Sequence, residues 1–294
     1  MLSLPHTPLI RMGNLFPQRA VYGKCEFLAP SGCFKIRGAV HLLDHLTRQG
    51  ETRHLVVPSM GNTALGAAAG AHAYGFTMTG VVPETISRAK DEKLRALGVD
   101  LMKLPGGGSD LLRAATDVAR KCGGYFVHPH LDPLWTDGYQ SIAAEVVEAL
   151  PNCRSLVFPV GGGGLLLGLL AYADSNPTPF RLYGCEPYSY PKYAQFDHPR
   201  TTTIADGLRL ENPHPAVQRA IVEAGITIGL VSEENIRAAL RDVFETQGLV
   251  IEPSSAITLA FIKNNAVLLE EPICAILTGA NISPEDHRQL MSVS

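Results

Sequence analysis

The sequence predicts an α/β fold of two lobes, each a mostly parallel sheet with helices on both faces, with a site in the cleft between them. Two observations carry that prediction. Short, unbroken apolar runs alternate with longer helical stretches, as expected for strands buried on both faces. The alternation also runs twice, restarting near residue 155, and 294 residues is enough chain for two such lobes.

In the first series, HLVVPS (54–59) reads as a buried strand, TALGAAAGAHAYG (63–75) as a small-residue helix and TMTGVVP (77–83) as a strand. Ser87 to Leu97 reads as a helix with Lys90, Lys93 and Arg95 outward, and VDLMKLP follows as a strand. The run GGGS (106–109) breaks the chain before the helix DLLRAATDVARKCG, for which Gly123 is a C-terminal cap. YFVHP then reads as a strand and GYQSIAAEVVEAL (138–150) as a helix. In the second series, SLVFPV (155–160) is a strand, GGGG (161–164) a break, LLLGLLAYADS a helix and FRLYGCE a strand. Helices near Ser232–Thr246 and from about Ser254 precede a final strand, CAILTG (274–279).

Composition narrows the function classes. The formal net charge of −3 leaves no basic footprint, so a nucleic-acid partner is not expected. No apolar run reaches the roughly 20 residues that cross a bilayer, so no membrane is expected. The N-terminus lacks the layout of a signal peptide. The six cysteines show no CxxC or metal-ligand spacing, which fits a reduced cytoplasmic protein. His128 and His130 have no cysteine or acid at zinc-ligand spacing, so no metal site is expected.

Two stretches point to chemistry. In SGCFKIRGA (31–39), Lys35 stands between Phe34 and Ile36. It is either a surface charge at a helix start, like Arg37, or an ammonium kept poor in water. In VFPVGGGGLLLGL, a strand runs through four glycines into a helix, which lets several N–H groups and the helix dipole converge on one anion. Neither GxGxxG nor GxxxxGK[ST] occurs there, so a phosphate is favoured over a nucleotide even though Glu186 follows the next strand. A lysine of depressed pKa forms Schiff bases, and pyridoxal phosphate supplies both an aldehyde for the lysine and a phosphate for the glycines.

Taken in order, SGCFKIRGA, SMGNTALGAAAGA, GGGGL, TIADGL, IEPSSA and LTGAN resemble the fold-type II pyridoxal-phosphate enzymes. These include serine and threonine dehydratases, serine racemase, cysteine synthase and threonine synthase. HTPLIRM, KCEFLAPSG and GYQSIAAEV extend the likeness over nearly the whole chain.

The resemblance implies pyridoxal phosphate in the cleft, a larger cofactor-binding domain of residues 1–39 and 146–294, and a smaller domain of 40–145 bearing the substrate-carboxylate loop. It makes Lys35 the Schiff-base lysine that also moves the α-proton, with Phe34 bordering the ring and Asn62 bonding the phenolic oxygen. Ser59, Met60, Gly61, Asn62 and Thr63 would bind the substrate carboxylate. Gly161, Gly162, Gly163, Gly164 and Leu165 would cradle the phosphate. Gly207 would bring backbone close to the cofactor, and Thr278 would face the pyridine nitrogen.

The implied activity is α,β-elimination on a small β-hydroxy amino acid such as L-threonine or L-serine, giving a 2-oxo acid and ammonia. The alternative is a β-replacement synthase that adds a nucleophile to an aminoacrylate, which the GNT loop resembles more closely. The family also implies a homodimer.

The chain departs from its relatives at several positions. Cys33 replaces the usual serine before Phe-Lys, and Tyr139 replaces the glutamine of the common GQGT. Met60 stands where serine racemases carry a proton-transferring hydroxyl, so racemisation is not expected. In the metal-activated members, a glutamate, a carbonyl and an aspartate bind a divalent ion. Here Glu186 is present and Tyr190 offers the carbonyl, but Lys192 stands in place of the aspartate, so an internal ion pair is expected instead. The length leaves no room for a C-terminal regulatory domain of the biosynthetic dehydratase kind.

Overall fold

The computed structural model describes residues 4–50, 53–59, 61–86, 88–106, 108–128, 130–194, 200–209, 213–265 and 267–292. Met60 therefore lies outside the described residues. The chain forms two compact units, one built on Ala29–Ser141 and the other on His6–Leu28 with Ile142–Ser294.

The chain begins with strands β1 (Leu9–Arg11) and β2 (Val21–Lys24) of the second unit. It then builds the first unit from α1 (Lys35–Gln49), β3 (His54–Val57), α2 (Asn62–Tyr74), β4 (Thr77–Pro83) and α3 (Arg88–Ala96). The same unit continues through β5 (Asp100–Leu104), α4 (Gly108–Cys122), β6 (Tyr125–Phe126) and α5 (Pro133–Asp137). After α6 (Gln140–Ala149) come β7 (Ser155–Pro159), α7 (Gly164–Ser175), β8 (Arg181–Pro187), α8 (Pro215–Glu223) and β9 (Thr227–Val231). The chain closes with α9 (Glu233–Gln247), α10 (Pro253–Asn264), β10 (Ile273–Ile276) and α11 (Pro284–Ser292).

Both sheets follow the expected α/β plan. In the first unit the order is β5-β4-β3-β6, and every pairing is parallel. In the second it is β1-β2-β10-β7-β8-β9, parallel except where β1 runs antiparallel to β2 with Leu9 opposite Lys24. β7 is buried along its whole length, which is why SLVFP reads as a run rather than an alternation. α10 is buried from Pro253 to Ile262 and packs on β7, β8 and β9, so IEPSSA opens the central helix of its unit. Among the described residues no helix is long and apolar enough to cross a membrane.

The helix expected over 138–150 is found as α6, and the chain turns at Gly138 to separate it from the short α5, which has no counterpart in the sequence reading. A Cβ on Gly138 would stand 2.4 Å from the Arg37 carbonyl oxygen, so this close approach to α1 admits only glycine. The strand expected in YFVHP is reduced to Tyr125–Phe126. β1, β2, β9, α8 and α11 have no counterpart in the sequence reading; the three strands are only three to five residues long and two lie at sheet edges, where periodicity is weak.

Small residues set the spacing of α1 and α2. A Cβ on Gly66 would lie 2.7 Å from the Lys35 backbone carbon and Cβ, and one on Gly70 would lie 2.9 Å from a Leu43 methyl. At Gly66 the obstacle is backbone, which cannot swing aside. Gly66→Ala is therefore expected to lower folding stability by about 1–3 kcal/mol through overpacking, read as a reduced urea midpoint. An unchanged midpoint would show that the two helices separate without cost.

Candidate active site

Lys35 is the first residue of α1, after a turn in which Gly32 takes a left-handed φ of 72° and the Ser31 hydroxyl donates to the Cys33 carbonyl (3.0 Å). The first turn of this helix contains no acidic residue. A helix N-terminus carries partial positive charge, so an ammonium gains nothing from that position. Lys35 Nζ lies 4.8 Å from the Phe34 ring centroid and 5.5 Å from that of Tyr139, and the two rings stack at 4.8 Å with a 49° tilt. Burial pushes the amine down to about 8, against a smaller opposing effect of the Cys33 thiol. The choice left open by SGCFKIRGA is thus resolved in favour of a poorly hydrated lysine. Lys35 is half-buried, and its neighbour Arg37 is buried, donating to the Ser141 hydroxyl (3.0 Å).

Tyr139 is fully buried, and its hydroxyl accepts a hydrogen bond from Trp135 Nε1, the indole of the chain's single tryptophan. Burial also raises its pKa well above the usual phenol range, so the hydroxyl stays protonated. Trp135 in turn is seated by Asp132, whose carboxylate accepts from the Trp135 backbone N–H (3.3 Å). The sequence singled out Tyr139 as a departure. Its tie to Trp135 is local, but its contact with Phe34 brings together residues far apart along the chain.

Asn62 opens α2, and its carbonyl accepts from the Cys33 thiol (3.7 Å), which ties the starts of α1 and α2 together. Ser59 Oγ accepts from the Gly61 N–H (3.2 Å), and Thr63 is buried in the first helical turn. Leu65 is the first amide with a partner inside this turn, donating to Gly61 (3.1 Å). The amides ahead of it lack an i−4 carbonyl and suit an anion. Ser59, Gly61, Asn62 and Thr63 are thus brought to one helix start, beside the segment that carries Lys35.

In the other unit, Gly161–Gly164 connect β7 to α7. Gly163 has φ 91°, and a Cβ on it would meet the Val217 methyls at 2.5 Å. The first amide with an internal partner is Leu167, which donates to Gly163 (3.0 Å), so the preceding amides of α7, those of Gly164, Leu165 and Leu166, have no i−4 carbonyl. A Cβ on Gly161 would sit 3.2 Å from the Gly207 carbonyl oxygen, and one on Gly207 would sit 2.9 Å from Ser254 Oγ. Ser255 Oγ lies 3.1 Å from Thr278 Oγ1. GGGG, IADG, EPSSA and LTGAN therefore converge within a single unit. The sequence reading quoted IEPSSA without assigning a role to Ser254 or Ser255.

With this geometry in place, residues 2–279 match the family described as pyridoxal-phosphate dependent enzyme. The chain belongs to that family. The L-threonine ammonia-lyase of Geobacter sulfurreducens is 31% identical over 271 residues, covering 89% of this chain and 67% of that protein. A catabolic L-threonine dehydratase of Staphylococcus aureus is 27% identical over 290 residues, covering 94% and 84%. The structure of maize serine racemase superposes with a TM-score of 0.88 at 25% identity, covering 98% of this chain and 92% of that one.

The residues present suit the family's cofactor. Ser254 Oγ is buried without a hydrogen-bond partner among the described residues, beside the glycine turn. The start of α7 offers amides to a phosphate, and Lys35 offers an amine that is half neutral near pH 8. This enzyme also carries an internal cation at the end of β8. Lys192 Nζ pairs with Glu186 at 3.2 Å and donates to the Leu208 carbonyl (3.0 Å), both side chains being fully buried. Glu186 further accepts from the backbone N–H groups of Lys192 (3.0 Å), Tyr193 (3.1 Å) and Ala194 (3.1 Å). Burial lowers the Lys192 pKa while Glu186 opposes the shift. The pairing expected of Lys192 and Glu186 is therefore formed, and it also holds the turn that contains Gly207.

Two outcomes test these assignments. In the cofactor-free protein, Lys35 is expected to react with an amine-selective acylating reagent with a midpoint near pH 8, because only the neutral amine above its pKa attacks. Peptide mass spectrometry reads the labelling, and a midpoint near that of an ordinary lysine would contradict the buried setting. Lys192→Met leaves the Glu186 charge buried without its partner and is expected to cost about 3–5 kcal/mol in folding stability, read by denaturant unfolding.

Proposed function

We propose that the chain is an ammonia-lyase (dehydratase) that converts a small β-hydroxy amino acid, L-threonine or L-serine, to a 2-oxo acid and ammonia by α,β-elimination. The observation that carries this reading is Lys35: an amine brought down to about 8, held between Phe34 and Tyr139, in a chain similar to L-threonine ammonia-lyases.

When bound, pyridoxal phosphate supplies an aldehyde for the amine groups and an electron-withdrawing ring that takes up the electron pair left by a departing α-proton. The start of α7, with Gly161–Gly164 and Leu165, holds the phosphate through backbone amides. Ser59, Gly61, Asn62 and Thr63 hold the substrate carboxylate, and Asn62 also bonds the phenolic oxygen. Lys35 would hold the cofactor through its amine at rest, and once displaced its neutral Nζ would accept the substrate α-proton. The Cβ–O bond breaks and the leaving hydroxide takes up a proton as water. Lys35 Nζ would then displace the product nitrogen from the cofactor, and the freed enamine tautomerises to an imine that consumes one water to give ammonia and the 2-oxo acid.

Thr278 places a neutral hydroxyl rather than a carboxylate at the ring nitrogen. The electron pair is thereby held less strongly, so expulsion of a Cβ substituent is favoured over amino-group transfer. Met60 carries no transferable proton, which weighs against racemisation. With Lys192 on Glu186, the reaction needs no divalent ion at that position. A cytoplasmic homodimer is the assembly we infer from the family resemblance and the unpatterned cysteines.

Purified holoenzyme given L-threonine or L-serine alone is expected to release 2-oxo acid, equally in magnesium and in EDTA. Lys35→Ala is expected to reduce that rate by about 100- to 10,000-fold, the usual contribution of a positioned proton-transfer group. If 2-oxo acid never forms and turnover requires an added nucleophile, the chain is instead the β-replacement synthase suggested by its GNT loop. Activation by magnesium that disappears on changing Glu186 would overturn the internal-cation assignment.

A further inference from the structure

Asp206–Leu208 form a single 3-10 turn wedged between two parts of the second unit. On one side, a Cβ on Gly161 would lie 3.2 Å from the Gly207 carbonyl oxygen and 3.7 Å from Leu208 Cα. On the other, a Cβ on Gly207 would lie 2.9 Å from Ser254 Oγ. The turn's internal bonds are local: Leu208 donates to the Ala205 carbonyl (2.9 Å) and Arg209 to that of Asp206 (3.1 Å). Two longer ties fix it in place. Ahead of the turn, the Glu233 carboxylate accepts from the Ile204 N–H (2.9 Å). At its end, Lys192 Nζ donates to the carbonyl of Leu208, 16 residues further along the chain (3.0 Å). Lys192 therefore does more than balance a charge. The Glu186 carboxylate already accepts from the backbone N–H groups of Lys192, Tyr193 and Ala194, which satisfy a buried acceptor. A counter-charge would be complete at Glu186, 3.2 Å from Nζ. The ammonium reaches Leu208 as well, and its side chain is fully buried, so water cannot take its place there.

We propose that Lys192 is a positioning residue for the cofactor: its bond to Leu208 clamps the Gly207 turn against the glycines after β7 and thereby raises affinity for pyridoxal phosphate. This rests on the reading that Gly161–Gly164 hold the phosphate and that Gly207 lies beside the cofactor. The hydrogen bond, rather than the charge, is the contact that acts on the turn, so an uncharged amine at the same place serves equally well.

The test compares wild type, Glu186→Gln and the double variant Glu186→Gln with Lys192→Met. Glutamine removes the charge that Lys192 pairs with but leaves an amine to donate to Leu208. Methionine then removes the donor without stranding a carboxylate. Absorbance titration reads the dissociation constant for pyridoxal phosphate, and mass spectrometry reads amide hydrogen exchange over residues 204–209 in the cofactor-free proteins. Glu186→Gln is expected to keep the wild-type affinity and exchange. The double variant is expected to bind the cofactor about tenfold more weakly, an ordinary coupling between neighbouring parts of a site, with faster exchange confined to the turn. Equal affinity and equal exchange in the two variants would show that Lys192 only balances Glu186, and would overturn the proposal. Weaker binding without faster exchange overturns it too, as does faster exchange without weaker binding. Should the double variant not fold, Glu186→Gln still decides: faster exchange of the turn with the amine in place would show that the ion pair holds it. Both readouts are taken without substrate, so they stand apart from whether 2-oxo acid is released. A wild-type protein that takes up no pyridoxal phosphate would overturn the proposal together with the cofactor reading, and is recognised before any variant is compared.

Discussion

Lys35 begins α1 where that helix presses on Gly66 of α2, with no space for a methyl group between them. Much of the first unit's chemistry follows from this contact. The close approach sets the start of α1 beside the start of α2, so that the Cys33 thiol reaches the Asn62 carbonyl. Gly38 and Gly138 give the same closeness on the other side, where a Cβ on Gly38 would meet Trp135 at 2.7 Å. Trp135 and Tyr139 can then fill the space next to Phe34. Burial at this helix start brings the lysine amine down to about 8, since burial penalises the charged form.

The second unit applies the same constraint to polar groups. Its glycine turn, the Gly207 segment and the start of α10 approach so closely that side chains at Gly161 or Gly207 would collide with backbone or with Ser254. What is left between them is a set of small hydroxyls and amides: Ser254, Ser255, Thr278 and the opening of α7. Such groups suit an anion by direction rather than by charge. The ion pair of Lys192 with Glu186 lies just behind this surface, and its Leu208 contact connects it to the Gly207 turn. Two buried charges are tolerated there because backbone N–H groups and a carbonyl complete their hydrogen bonding.

Much of this was legible in the residues themselves. The α/β plan followed from apolar runs such as SLVFP and TMTGVVP, because a strand covered on both faces needs no polar side. Lys35, Asn62, the four glycines and Thr278 stood out because each lies in a motif whose order along the chain is distinctive. Lys192 was legible as a substitution, and its partner could be named from the same segment. Ser255 was quoted within IEPSSA but had no readable role, since nothing local distinguishes it from a capping serine. The five residues of α5, just before Gly138, were likewise too few to show a helical period.

The sequence by itself determined which chemical groups are available and which strands and helices carry them, because backbone preference and hydrophobic period are local properties. Only the tertiary structure decided how those groups behave. Burial brings the Lys35 amine down to about 8 beside the Tyr139 ring, and the Thr278 hydroxyl is met by Ser255 from another helix. The Lys35–Tyr139 and Thr278–Ser255 contacts join atoms within a few ångströms in space but far apart along the chain. Desolvation and hydrogen-bond polarity sum over every such neighbour, so no window of sequence contains them.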